Sequence, residues 1–595
     1  DNKPFLKKGN LKFKLGAKVI QRVNNYDKNI FNGEIGYIVD IFKAKPTDEY
    51  DNMFTVQYPG KPITYSKNEL DQIDLAYAMT VHLCLPRNTM LYSSNGIIEL
   101  GHIDSKNYKT YGSYEIDKIN IPDIYNGNYL EKPSYFIKNP ISQCKKLTTV
   151  KGYNVTATLD HQFQVLTPTG NICFKKVSDI KTNDYVILSK GQNIYGDNIN
   201  IPKHWTYGLN SNSNNNRVYK IPTIIDSIFS EFLGFMVADG TVFDKGIRLL
   251  KRHKDVVERF KYVCDTLFGT SGEIEKNKYE DAWQYEICST YIVNFLRNIK
   301  GIQPHEKYVP DIILQTTKEN QCAFLKSLFE DGTVSLKNNK FDHIELSFKD
   351  KKIINQVQLM LLNMGILSSS KTYKQSLTSK SKEEFRHMLY IYRKEAIKYC
   401  NIIGFISKFK NDRLELCYRK NINMSDKLTI PYIPKTIRYL IEKYNIKLDI
   451  GLYRNMIKTS VKNMITYNMA NKLIQEINNS NIKMLDNDNK MLNQLNWLIN
   501  NTYIDKVNNI IEEKHETYCL TMPETHQFVQ NGFIGSNCQG SGYKTVIMII
   551  DNSHYILLDS CLLYTGITRA KQRCLLLAEP SAFKKCIVNN KNIEK

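Results

Sequence analysis

Two thiols and a carboxamide stand at the edges of a long internal stretch of this 595-residue chain: Cys84 at one edge, the adjacent pair Asn537-Cys538 at the other. A Cys84 thiolate can attack the Leu83 carbonyl through a five-membered ring and turn that peptide bond into a thioester. Cys538 offers a second thiol to take over the acyl group. The Asn537 carboxamide can close on its own main-chain carbonyl as a succinimide and cut the chain before Cys538. The first shift is uphill unaided. His161, three residues after Thr158 on one turn, is spaced to protonate the departing amide nitrogen while Thr158 holds the carbonyl region by hydrogen bonds. His526 is a candidate proton source at the second junction. This chemistry needs no metal, no ATP and no outside nucleophile.

Such groups work only if the chain brings its two distant edges together, and the surrounding composition says what does so. Lys plus Arg number 81 against 60 Asp plus Glu, a formal charge of +21 that favours polyanionic partners. No apolar run approaches the roughly 18 residues of a membrane-spanning helix, so no membrane span is present in this reading and no membrane partner is expected. The 13 cysteines form no C-x-x-C pair and no zinc-spaced cluster with His. That pattern predicts a reducing intracellular compartment, cytoplasm or nucleus. With Asp1 at its start and no signal-peptide layout, the chain is expected to be a fragment of a longer protein. Residues 11–70 alternate apolar and polar, with turn signals at Asn32-Gly33 and Pro59-Gly60, and predict a small antiparallel β unit with strands such as Lys18–Gln21.

The text Ala76-Tyr77-Ala78-Met79-Thr80-Val81-His82-Leu83 breaks off at Cys84 and resumes as Cys538-Gln539-Gly540-Ser541-Gly542-Tyr543-Lys544-Thr545. Read across the gap, and with Thr565-Gly566-Ile567-Thr568-Arg569-Ala570-Lys571 after it, it resembles the C-terminal motor end of RecD-like superfamily-one DNA helicases. The resemblance implies contacts to single-stranded DNA from Thr80, His82 and Gln539. It also implies an arginine finger on the ATP γ-phosphate from Arg569. No G-x-x-x-x-G-K-[ST] phosphate loop occurs, so ATP is expected only for a complete helicase outside this piece.

The interruption resembles a self-splicing intein. Cys84-Leu85-Pro86-Arg87-Asn88-Thr89 with Gly96 is similar to the first splicing block, and Thr158-Leu159-Asp160-His161 carries the T-x-x-H of the next. Tyr518-Cys519-Leu520 with His526-Gln527-Phe528, then Asn531 to Asn537, resemble the two closing blocks. In the family a His usually precedes the final Asn, where Ser536 stands here, and Asp often stands where Cys519 does.

Inside the interruption, Phe232-Leu233-Gly234-Phe235-Met236-Val237-Ala238-Asp239-Gly240 resembles the LAGLIDADG motif of homing endonucleases, and Phe324 to Gly332 is a second copy. Lys254-Asp255 opens a helix pattern closing at Gly269 after the first copy, and Lys349-Asp350 opens one closing at Gly365 after the second, so two like units are expected. The resemblance implies paired helices whose terminal acids, Asp239 and Asp331, hold Mg²⁺ for cleavage of double-stranded DNA at the insertion site in the helicase gene. The second copy is one residue shorter between its small residue, Ser327, and its acid. That shift turns a helix by about 100°, leaving Glu330 as the rival of Asp331, or a decayed site. Residues 371–420 hold 13 Lys/Arg against 5 Asp/Glu, interleaved with aromatics, and suit a phosphate-contacting surface.

The expected fold class is multidomain. A mostly β Hint splicing domain (84–195 and 505–537) holds an inserted α/β endonuclease of two pseudo-repeats (220–420). A helical appendage of unassigned role follows at 421–504, and fragments of an α/β helicase motor domain flank the whole (1–83 and 538–595). The expected function is excision of 84–537 with ligation of the flanks, coupled to a nested DNA endonuclease. The alternative is a nucleic-acid-binding helicase carrying a splicing-inert or endonuclease-dead insertion.

Overall fold

A computed structural model divides the chain into two units, one of residues 1–81 and 540–589, the other centred on 82–539. In the central unit the structure describes 84–103, 109–111, 114–117, 121–133, 135–205, 219–278, 280–338, 340–374, 385–419, 428–480 and 482–537. In the outer unit it describes 5–8, 11–21, 25, 28, 30, 35–42, 53–58, 61–75, 543–552, 558, 567 and 570–588. Among the described residues no helix is long and apolar enough to cross a membrane.

In the outer unit, residues 18–75 build a five-stranded antiparallel sheet with Lys18–Gln21, Ile35–Phe42 and Met53–Tyr58 at its centre. Alternation buries Val19, Ile38, Phe54 and Val56 on one face. The C-terminal segment contributes a parallel pair, Tyr543–Ile550 with Ala570–Ala578, and a helix, Pro580–Val588. Parallel pairing suits a piece of an α/β layer.

The splicing half of the central unit is organised by one strand. Thr502–Thr521 runs antiparallel to Tyr135–Thr149 along most of its length, with bulges at Asn139/Ser142 and Thr148/Thr149. Its other edge takes Tyr185–Ser189 at one end and Leu85–Pro86 at the other. The strand starts at Thr502, slightly ahead of the boundary expected at 505, because Thr502 already pairs with Ser189. The last hairpin, Gln527–Gln530 with Phe533–Ser536, turns on Asn531-Gly532, both at positive φ (49° and 86°). Asn-Gly is the pair that such a two-residue turn selects.

The inserted half repeats itself. The first unit is α1 (Ser227–Ala238), two strands, α2 (Lys254–Phe268), two strands and α3 (Thr290–Leu296). After the short α4 (Asp311–Leu314), the second is α5 (Lys318–Leu328), two strands, α6 (Lys351–Asn363), two strands and α7 (Arg393–Ile402), followed by α8 (Lys408–Arg419). Each unit carries a four-stranded sheet, and both sheets have the same strand order. The expected helix ends hold: Gly269 caps α2 at φ 68° and Gly365 follows α6 at φ 79°. The region 421–504 is helical: α9 (Pro434–Lys443), α10 (Ile450–Lys462), α11 (Tyr467–Asn479) and α12 (Asp486–Asn501).

The two halves share one apolar core that runs from Leu85 to Ile534. Helix α6 is the seam. Tyr92 Oη donates to the Leu359 carbonyl (3.3 Å), Gln358 Nε2 to the Lys151 carbonyl (3.0 Å) and Asn154 Nδ2 to Asn355 Oδ1 (3.2 Å).

Candidate functional site

Cys84 is fully buried and its backbone is held on both sides by Thr158. Its N–H donates to Thr158 Oγ1 and its carbonyl accepts from Thr158 N, each at 3.0 Å. Thr158 ends the strand Asn154–Thr158, and the chain turns there because His161 N donates back to the Thr158 carbonyl (3.0 Å). The Thr158 contacts fall on the Cys84 nitrogen, the expected leaving group of the thioester step, and on the Cys84 carbonyl. Leu83, whose carbonyl was expected to be the partner, lies outside the described residues.

The Cys84 sulfur accepts a hydrogen bond from Asn139 Nδ2 at 3.2 Å. Asn139 belongs to no motif and carries no signal of this role in the sequence. It reaches the thiol because the bulge after it redirects the strand. Leu85 and Pro86 pair with Tyr518 and Thr517, and the same register carried back one step sets Cys84 opposite Cys519.

The other junction arrives through the last hairpin. Phe163 pairs with Gly535, and that antiparallel register, carried two residues along each strand, sets His161 opposite Asn537. The His161 ring is buried, with its centroid 4.9 Å from that of Phe163. Asn537 is buried as well. Its N–H donates to the His526 carbonyl (3.0 Å) and its Nδ2 to the Met522 carbonyl (3.0 Å), while Oδ1 has no hydrogen-bond partner among the described residues. The His526 ring, on a residue at φ 55°, points Nδ1 at the same Met522 carbonyl (3.0 Å). Ser536 occupies a buried strand end. Segment 158–163 therefore touches both edges of the interruption. Cys538, together with Thr80, His82, Gln539 and Arg569, lies outside the described residues.

In the inserted half, α1 and α5 pack so closely that a Cβ at Gly234 would lie 2.0 Å from Ser327 Oγ and 2.3 Å from the Phe324 carbonyl. Ser327 Oγ donates to the Glu231 carbonyl (2.7 Å), the mirror of the Gly234–Phe324 contact. The shorter second motif is compensated locally. Past Leu328 the N–H groups of Glu330, Asp331 and Gly332 bond three residues back, whereas Asp239 N still bonds four back to Phe235. A 3₁₀ step rises about 2.0 Å and turns about 120°, against about 1.5 Å and 100° for an α step. Hydrogen bonds closing three residues back mark a tighter turn with a longer rise per residue than the α-helix, which offsets the residue missing between Ser327 and Asp331.

The result brings Asp239 and Asp331 to one point, where Lys251 Nζ lies 2.5 Å from Asp239 Oδ2 and 3.1 Å from Asp331 Oδ1. Glu330 faces away. Its Oε1 accepts from Ile406 N (2.6 Å) and Ser407 N (3.0 Å), and Lys410 Nζ stands 3.4 Å from its Oε2.

Burial tends to raise the Asp239 carboxyl, but the charge and hydrogen bond of Lys251 outweigh it and hold it below the ordinary range. Burial pushes Asp331 up, and the neighbouring Asp239 adds to the rise. Two carboxylates with opposed titration around a single cation form a set of hard oxygen donors. They suit Mg²⁺, which is commonly held by one or two carboxylates and completed by phosphate oxygens and water. Lys251 supplies the stand-in charge.

Two further lysines, the half-buried Lys307 and the buried Lys410, close the helix ends. Lys307 Nζ donates to the Met236 carbonyl and to the Gly240 carbonyl (3.0 Å), and Lys410 Nζ to the Phe329 (2.9 Å) and Glu330 (2.7 Å) carbonyls. Both satisfy carbonyls orphaned at a helix C-terminus. Burial lowers both lysines, Lys307 to about 8.

The basic-aromatic stretch divides. Tyr373, Phe385, Tyr392 and Phe409 are exposed, but Tyr390, Tyr399 and Phe405 belong to the core, and Lys410 is buried with its ammonium over the Phe405 ring. The buried side chains of the stretch depart from the expectation of one continuous phosphate-contacting surface, and only the exposed ones stand where a phosphate could reach them. The intervening 375–384 and the side chain of Tyr418 lie outside the described residues.

Comparison with known proteins gives a match to the intein splicing domain over residues 113–537, and to the SH3 domain of ATP-dependent RecD-like DNA helicases over residues 1–58. The glutamine–fructose-6-phosphate aminotransferase of Methanocaldococcus jannaschii is 22% identical over 342 residues, covering 56% of this chain and 29% of the relative. The replicative DNA helicase DnaB of Rhodothermus marinus is 23% identical over 288 residues, covering 46% and 27%. The chain thus spans less than a third of the length of either relative.

Among solved structures, the transcription factor IIB Mvu mini-intein aligns at 17% identity and TM-score 0.17, over 18% of this chain and 69% of that one. Mesophilic variants of the homing endonuclease I-DmoI align at 17% and 0.23, over 30% and 96%. Another structure of I-DmoI, in complex with its target DNA in the presence of Mg, has a TM-score of 0.22. The splicing-domain match covers most of the chain and includes Thr158, His161 and Asn537, so the chain belongs to the intein splicing-domain family.

Proposed function

We propose that residues 84–537 excise themselves and join 1–83 to 538–595, and that the excised part also cuts duplex DNA. The observation that carries the first reading is that segment 158–163 meets both junctions, through the paired Thr158–Cys84 bonds and the Phe163–Gly535 register.

Cys84 Sγ bonds to the Leu83 carbonyl carbon as the bond from that carbon to Cys84 N breaks, and the nitrogen takes a proton from His161. Thr158 Oγ1 already accepts the N–H of that nitrogen and fixes its orientation. Asn139 orients the attacking sulfur. Cys538 Sγ then takes the acyl group and releases the Cys84 thiol. Asn537 Nδ2 attacks its own carbonyl carbon and expels the amine of Cys538, with His526 protonating the leaving nitrogen. The freed amine recaptures the acyl group from its own sulfur as a peptide bond. Expression with both flanks, followed on a denaturing gel, should yield the joined 1–83/538–595 product and free 84–537. Persistence of the unprocessed chain alone would favour a splicing-inert insertion.

For the second activity, Asp239 and Asp331 would hold Mg²⁺, which when bound neutralises charge building on a phosphodiester. Lys251 keeps the two acids converged, and Lys307 and Lys410 fix the helix ends that carry them. The substrate is double-stranded DNA coding for the uninterrupted junction, and incubation of that duplex with purified 84–537 and Mg²⁺ tests it. Residues 1–83 and 538–595 form part of an ATP-dependent helicase, with Thr80, His82 and Gln539 on single-stranded DNA and Arg569 on the γ-phosphate once the chain is joined.

A further inference from the structure

Helices α9 and α10 take part in none of this chemistry, and they are built very differently. α9 buries Ile437, Leu440 and Ile441, whereas α10 buries only Met456 and Ser460. Ser460 Oγ, 3.4 Å from the Pro434 carbonyl, ties α10 to α9, and Asp449 caps its first turn through Leu452 N (2.8 Å). Asn463, at φ 51°, ends it. Leu452 and Ile457 are half-buried against the core, and the opposite face of α10 stands in solvent.

That outer face is cationic and unpaired. α10 contains no Asp or Glu, and Arg454, Lys458 and Lys462 follow at four-residue spacing. None of the three has an ion pair among the described residues, although other cations of the appendage do: Lys443 meets Asp488 at 2.6 Å and Arg438 meets Glu442 at 2.7 Å. At about 100° per residue, Asn455 and Val461 share the arc of the three cations, with Met456 and Ser460 opposite. Val461 is 80% exposed. Three like charges along one face of a helix that holds no acid give that face a local positive field, which favours a polyanion.

We propose that α10 is a DNA-reading helix, the second helix of a helix–turn–helix pair, which lies against duplex DNA flanking the cleavage site. A projecting helix is the element a major groove of about 12 Å admits. Phosphates supply the counter-charge for Arg454, Lys458 and Lys462. Asn455 is placed for a base edge and Val461 for a thymine methyl group. The inference rests on the endonuclease reading and assigns the appendage a share of that enzyme's DNA contact.

The test is fluorescence anisotropy of the full chain, in EDTA, on a long duplex spanning the uninterrupted junction, across a range of KCl concentrations. The triple variant Arg454→Gln/Lys458→Gln/Lys462→Gln should weaken binding at least tenfold at low salt. It should also flatten the slope of log affinity against log salt by up to about 2.7, at about 0.9 per lost phosphate contact. A footprint should shorten on one flank. The substituted residues are exposed, so an unchanged circular-dichroism melt is the folding control. Parent and variant binding with equal affinity and slope would overturn the inference and leave the endonuclease reading standing. Failure of the parent to bind this duplex at all would overturn both. Loss of binding to lipid vesicles, with DNA binding intact, would assign the face to another partner and reject the proposal.

Discussion

Thr158 grips Cys84 by two backbone-directed hydrogen bonds of 3.0 Å, one accepted by its hydroxyl from the Cys84 N–H and one donated by its own N–H to the Cys84 carbonyl. Only the first depends on the side chain. Thr158→Val keeps shape and strand but removes the acceptor that orients the departing nitrogen. Thiol-induced cleavage before Cys84 should slow by roughly 10- to 100-fold, in line with one directed hydrogen bond worth about 1–3 kcal/mol. Cleavage after Asn537 should persist. A variant that loses both cleavages equally would show that Thr158 only supports the fold.

The second junction depends on the Met522 carbonyl, which receives both Asn537 Nδ2 and His526 Nδ1. His526→Ala should slow release of the C-terminal flank by about 10²-fold, the usual scale for losing a positioned acid, and should leave thioester formation at Cys84 intact. Mass spectrometry of the C-terminal product over time checks it. An unchanged rate would move the proton source to His161, which the strand register sets opposite Asn537.

Asp331 and Glu330 are neighbours with opposite surroundings, so their variants should fail in different ways. Asp331→Asn, like Asp239→Asn, should abolish nicking of the junction duplex while splicing continues. Glu330→Gln leaves Lys410 buried without its counter-charge and weakens two bonds from Ile406 N and Ser407 N. Its main effect should be a loss of about 3–5 kcal/mol of stability, with cleavage retained at low temperature. Nicking that survives Asp331→Asn and vanishes in a folded Glu330→Gln protein would reverse the assignment.

Residues whose chemistry is local to the chain are legible in the sequence, and those that act across the fold are not. Cys84, Thr158, His161 and Asn537 stand out because splicing needs those residue types at chain junctions. The matched helix stops at Gly269 and Gly365 are visible because positive φ selects glycine. Asn139, Lys251, Lys307 and Lys410 had no such signal. Each acts through a partner far along the chain, and a lone Lys or Asn reads as surface until the fold buries it. The rivalry of Glu330 and Asp331 could not be settled from spacing, because the lost residue is absorbed by a tighter turn past the end of α5 whose hydrogen bonds leave no sequence pattern. Tyr399 and Phe405 read as nucleic-acid aromatics yet line the core, since composition does not say which face a residue takes.

Lys307 yields a pH signature. Burial lowers its ammonium to about 8, whereas an unfolded lysine titrates near the ordinary value of about 10.4. Below pH 8 both states hold the proton, and the folded state bears the full cost of burying the charge. Between the two values the unfolded state binds more protons, so stability rises with pH; above the unfolded value the gain is complete. The gain by pH 9.5 should be on the order of 2 kcal/mol, at about 1.4 kcal/mol per pH unit. Lys307→Met removes the titrating group and leaves the Met236 and Gly240 carbonyls short of a donor, a loss that does not vary with pH. Urea unfolding of parent and variant from pH 7 to 9.5 should therefore give curves that diverge as pH rises, with the parent gaining. Parallel curves would mean that Lys307 keeps an ordinary affinity for its proton, and that its two carbonyl contacts and the nearby acids Asp239 and Asp331 fully offset the cost of burying it.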